Sequence, residues 1–116
     1  MDEETYQQLI NEPDVLDHTT LNVTLKELVA KQEFELAAAL QHILKDNKIE
    51  KPTLSTNQYD TRPNYYKINL SEEIIEQITD VLFDLEDSFL TDDGEITPTS
   101  AFYASLVNKW NNVIQG

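Results

Sequence analysis

Residues 71–90 read SEEIIEQITDVLFDLEDSFL, and this stretch decides the fold class. Ile74, Ile78, Val81 and Leu85 recur at four, three and four, while Ile75, Leu82 and Phe89 recur at seven. That spacing predicts an amphipathic helix over about 72–90. Ser71 stands at its N-cap, with Glu72 and Glu73 in the first turn, where carboxylates oppose the positive end of the helix dipole. Leu70 and Ile75 are placed to staple the entry.

Downstream, Thr91-Asp92-Asp93-Gly94 breaks this helix. Thr97-Pro98 starts another, with threonine as cap and proline at a position whose missing amide costs nothing. Phe102, Leu106, Lys109 with Trp110, and Val113 mark the expected inner side of that last helix. Two long helices joined by so short a link predict an antiparallel hairpin over 71–116.

Upstream, 65–70 (YYKINL) alternates enough for a short strand, but with no evident partner an extended arm fits as well. Pro52 and Pro63 bound a stretch of weak helix formers, so 47–70 reads as a loop or arm. Thr24 and Glu27 are spaced as a capping box, which predicts a helix from Leu25 with a break near Lys31–Gln32. Phe34, Ala37, Leu40 and Leu44 form the apolar side of a second helical run from Glu33 to about Lys45, with Phe34 either a buried core residue or an exposed interface anchor. Residues 3–10 predict a short helix with Tyr6, Leu9 and Ile10 inward, ended by Pro13, and 11–20 read as loop. The whole is expected to be a mainly α single domain, 1–116: an acidic N-terminal segment (1–20), a helical part (21–46), the arm, and the hairpin. Only two glycines occur, which also disfavours a strand-rich domain.

Charge is the second strong signal. The chain carries 22 Asp and Glu against 8 Lys and Arg, a net charge of -14. Ten of the acids lie in 71–116, where Lys109 is the single base, and the first twenty residues hold six acids and no base. Such ends repel nucleic acid and attract cationic surfaces. On the helix 72–90, Glu73, Glu76, Asp80, Asp84 and Asp87 step at three, four, four and three, forming one stripe opposite the apolar side. Asp92 and Asp93 extend it. Neighbours on such a stripe are about 5–6 Å apart, near the phosphate spacing of a nucleic-acid strand. These seven acids are the candidate partner-binding residues. The expected function is a non-enzymatic module binding a basic protein partner, as inhibitor or adaptor. The alternative is a nucleic-acid mimic that blocks a DNA- or RNA-binding protein.

Residues 34–40 (FELAAAL), with Leu25 and Leu28 before them, resemble the UVR motif, the helical hairpin of UvrB- and UvrC-type excision-repair proteins. The resemblance covers 25–45 and implies a protein–protein contact built by helix-on-helix burial. Where that family has an Arg-Asp pair after the leucine, this chain has Gln41-His42.

Other chemistry finds little support. Without cysteine there is no disulfide or thiol chemistry. Aligning Gly94 with the turn glycine of an EF-hand puts Phe89 and Ser100 at the end positions, where Asp and Glu are required, so a plain helix–helix turn is expected. His18 and His42 lack any zinc-ligand spacing. Two glycines cannot build a phosphate loop or nucleophile elbow, and no catalytic residue, cofactor or metal is expected. Tyr59, Arg62, Tyr65, Tyr66 and Lys67 mix aromatic and basic residues, but the net charge favours loop docking over base stacking. No apolar run reaches the roughly 20 residues of a membrane span, and the acidic start is unlike a signal peptide, so a cytoplasmic location is expected. Phe102, Trp110 and the alanine-rich helix are equally able to pack within one chain or between two, leaving a homo-oligomer open.

Overall fold

The computed structural model describes residues 2–52 and 63–115. The expected irregular stretch falls largely on 53–62, which, with Tyr59 and Arg62, lies outside the described residues. Among those described, the chain is mainly helical: α1 (Glu3–Ile10), β1 (Val15–Asp17), α2 (His18–Ala30), α3 (Phe34–Asp46), β2 (Tyr65–Lys67), α4 (Glu72–Ser88) and α5 (Pro98–Gln115).

Capping sets most of the starts. The Asp2 carboxylate accepts the Thr5 amide at 2.7 Å to open α1, and the Ser71 hydroxyl accepts the Ile74 amide at 3.3 Å to open α4. At α5 the exchange is reciprocal. Ser100 donates its amide to Thr97 Oγ1 at 3.0 Å, and Thr97 donates its amide to Ser100 Oγ at 2.8 Å.

The expected start of α2 at Leu25 is corrected. Asp17 is the cap, accepting the Thr20 amide at 3.3 Å, and α2 begins seven residues earlier than Leu25, at His18. Thr24 lies mid-helix and fully buried, its hydroxyl donating to Thr20 O at 2.7 Å, a geometry no N-cap has. Glu27, the other half of the expected box, accepts from the Tyr103 hydroxyl of α5 instead.

The break near Lys31–Gln32 is where the sequence places it. Gln32 adopts φ 61°, Gln32 N donates to Val29 O at 3.0 Å, and Glu33 N donates to Leu28 O at 2.8 Å. This is the Schellman pattern, with glutamine where glycine is usual.

Residues 11–20 are not a simple loop. β1 pairs antiparallel with β2 in the register Val15↔Lys67, Leu16↔Tyr66, Asp17↔Tyr65. The partner strand missing from the sequence reading was therefore β1, three residues long and too short to show alternation. On its other edge β2 bonds the segment after α3: Lys67 N donates to Asn47 O at 3.1 Å and Ile49 N to Tyr65 O at 2.8 Å. Lys67 Nζ bridges to Asp14 at 2.7 Å and Glu12 at 3.6 Å, and the Asp14 carboxylate beside it raises its pKa above the ordinary lysine value. Residues 12–17, 47–49 and 65–67 are thus one clip against the bundle.

The core lies between the helices and under the clip. Leu21, Leu28, Leu40, Ile78, Leu82 and Trp110 are completely buried, with Leu16, Tyr66 and Ile68 joining from the clip side. Each such aliphatic side chain contributes about 1.5–3 kcal/mol on burial. α4 and α5 pack closely as the expected hairpin. Phe34, in the first turn of α3, is 63% exposed, which decides against its burial in the core. The inward assignment of Phe102 is corrected: it is 44% exposed while its neighbour Tyr103 turns inward. Lys109 is exposed too, with Nζ reaching Thr20 Oγ1 at 3.3 Å.

Candidate partner-binding surface

Every residue of the predicted stripe is exposed: Glu73, Glu76, Asp80, Asp84 and Asp87 on α4, with Asp92 and Asp93 beyond its end. The buried residues Ile75, Ile78, Leu82 and Leu85 share the other side of α4. At about 100° per residue the two sets are centred about 180° apart, so the stripe points directly away from the core.

Nothing on α4 neutralises this stripe. Among the described residues, none of its five carboxylates has an ion-pair partner. The last turn of α4 carries no base, so Asp84, Glu86 and Asp87 sit at the negative end of the helix dipole. Like-charged neighbours at i,i+4 add a few tenths of a kcal/mol of repulsion per pair. This face is held in an electrostatically uphill state by the burial behind it.

Aromatic residues missed by the sequence reading stand beside these acids. Phe83 is 58% exposed, with Asp80 three residues before it and Asp87 four after. The sequence signal was available: Phe83 falls outside both apolar series of α4, and an apolar side chain there must face the acids. Phe89, read as part of the inner seam, is 42% exposed. It stacks on Tyr103 with ring centroids 5.4 Å apart and planes 11° from parallel, and Phe102 meets the same tyrosine edge-on at 5.5 Å. The Tyr103 hydroxyl donates to Glu27 at 3.1 Å, which ties this group to α2. Burial first, and the Glu27 carboxylate second, raise the Tyr103 pKa above its ordinary value.

The connection 89–97 is tightly bonded. Gly94 takes φ 79°, its amide donates to Thr91 O at 2.8 Å, and Thr97 Oγ1 donates to Phe89 O at 2.7 Å. Only glycine adopts that backbone freely, although space for a side chain exists. The turn presents Asp92, Asp93, Glu95 and Ile96 outward.

Open depressions lie beside the stripe and by the N-terminal segment. One of about 330 Å³ runs between α3 and the stripe, lined by Glu33, Leu36, Gln77, Asp80, Val81 and Asp84. A second of about 400 Å³ lies between the α1–β1 link and α5, reached by Asp17, Tyr65 and Lys109. Among the described residues, no three His, Asp or Glu side chains converge as a metal site, and no helix is long and apolar enough to cross a membrane. Comparison with protein-family models, curated proteins and solved structures found no match.

Proposed function

We propose that this protein is a non-enzymatic interaction module whose α4 face binds a basic protein partner, acting as an inhibitor or an adaptor. The observation that carries this reading is the row Glu73, Glu76, Asp80, Asp84 and Asp87, exposed, without ion-pair partners among the described residues and opposite the core. A cationic surface docking there relieves the repulsion within the row and gains steering in the encounter. The UVR resemblance over 25–45 supports the adaptor version, because that hairpin serves association in its own family.

The test is capture on the immobilised chain at low salt, followed by elution with rising salt. Basic proteins released at moderate ionic strength support the reading. Partners that resist salt and show no basic surface would sink it.

A second reading has one observation in its favour. The row runs along one side of α4 from Glu73 to Asp87, and its pitch of about 5–6 Å approximates that of nucleic-acid phosphates. In that reading the partner is a DNA- or RNA-binding protein, and the module occupies its basic groove. Duplex DNA then displaces the module from the captured partner, with a steep salt dependence. Capture unaffected by excess DNA leaves the first reading alone.

A further inference from the structure

At the end of the bundle formed by the α4–α5 turn, three aromatic rings meet. Tyr103 is the centre, 8% exposed and anchored to Glu27, while Phe89 stacks on it and Phe102 abuts its edge. Tyr103 stacks against Phe89, which nevertheless keeps 42% of its surface exposed. Phe102 is 44% exposed and Ile96, in the turn, 78%. In the same stretch of chain Asp87, Asp92, Asp93 and Glu95 are all exposed, with no base in sequence between residues 68 and 108. Lys31, the C-cap residue of α2, follows Glu27 by one turn.

An exposed ring rimmed by carboxylates discriminates between cations. A guanidinium can lie flat on the ring face and still bond a carboxylate through its edge, whereas a strongly hydrated ammonium gains less from the ring. The bonded turn and the anchored tyrosine hold the rings in place, so little ordering is lost on binding. We infer that the Phe89–Tyr103–Phe102 platform, with Asp92 and Asp93, is a docking site for an arginine-bearing segment of the partner. The occupant follows from charge complementarity: an apolar platform in so negative a surround repels acidic and nucleic-acid ligands and selects cationic ones. This deepens the basic-partner reading and rests on it.

The full chain is titrated with two labelled peptides of equal length and charge, one alternating arginine with glycine and the other lysine with glycine. Fluorescence anisotropy at low salt reads the binding. The arginine peptide is expected to bind roughly five- to tenfold more tightly. Phe89→Leu and Phe102→Leu each reduce that preference toward unity while leaving lysine-peptide affinity within about twofold, since an apolar side chain without a ring remains. Equal affinity for the two peptides, or a preference that survives both leucine variants, would overturn the inference while the stripe reading stands on lysine-peptide binding. If neither peptide binds, both readings fall. The unmodified chain makes the peptide comparison without depending on any variant's folding. Sedimentation completes the test: a dimer dissociated by Phe102→Leu would assign the platform to a second copy and overturn the proposal.

Discussion

The indole Nε1 of Trp110 donates to Thr24 Oγ1 at 3.1 Å, joining α5 to α2 inside the core. Both residues are fully buried, and the same hydroxyl donates to Thr20 O at 2.7 Å. One small polar group therefore satisfies an indole that apolar surroundings would leave unpaired. Lys109 reaches Thr20 Oγ1 from the next position on α5, and that hydroxyl also donates to Asp17 Oδ1. The cap of α2 and the packing of α5 are thus linked through two threonines.

Thr24→Val keeps the shape and removes the acceptor. It is expected to cost about 1–3 kcal/mol, the desolvation cost of a buried unpaired donor. Chemical denaturation measures it. A double-mutant cycle with Trp110→Phe should return most of that cost as coupling, and additive effects would contradict the bond's role.

Phe34→Ala should change stability by less than about 0.5 kcal/mol, because the ring is 63% exposed. A buried phenylalanine would cost about 3–5 kcal/mol. Thermal unfolding separates the two outcomes. Lost partner capture with unchanged stability would mark Phe34 as an interface anchor, on the residue that also begins the UVR-like run.

The triple change Asp80→Asn, Asp84→Asn and Asp87→Asn should preserve the fold and raise stability slightly, since like-charge repulsion along α4 is reduced. Capture of the basic partner should fall in the same variant. A helix signal that survives with capture intact would detach the stripe from binding.

Tyr103 predicts a pH dependence. Its folded pKa lies above its ordinary value, so the neutral hydroxyl is favoured in the folded chain. The stabilising contribution is complete below the unfolded pKa of about 10 and is lost as pH rises through the folded value. Unfolding midpoints should therefore drop above about pH 10. Tyr103→Phe should flatten this drop, and an identical alkaline profile in that variant would assign it to other groups.

Much of this molecule was legible as a string of residues. The helix-forming periodicity of 72–90, the serine cap at 71, the Thr97-Pro98 restart and the break at Gln32 are local properties, set by spacing and backbone preference within one or two turns. So was the separation of acids from apolar residues on α4, which follows from helical pitch alone. What the residue order left undecided involved contacts between distant segments. β1 and β2 lie about fifty residues apart in sequence, and neither is long enough to announce itself. Thr24 has the chemistry of a cap, but Trp110 recruits it to the core, and Asp17 opens the helix instead. Phe34, Phe83 and Phe102 are equally hydrophobic on paper. Whether a ring is buried depends on which neighbour arrives on its side of the helix, and packing against α2, α4 and α5 left these three facing solvent. Local pattern determined the long C-terminal helices and the acidic face, because both follow from helical pitch, and tertiary contact determined the strand pairing, which polar groups the core consumes and which aromatic rings remain exposed.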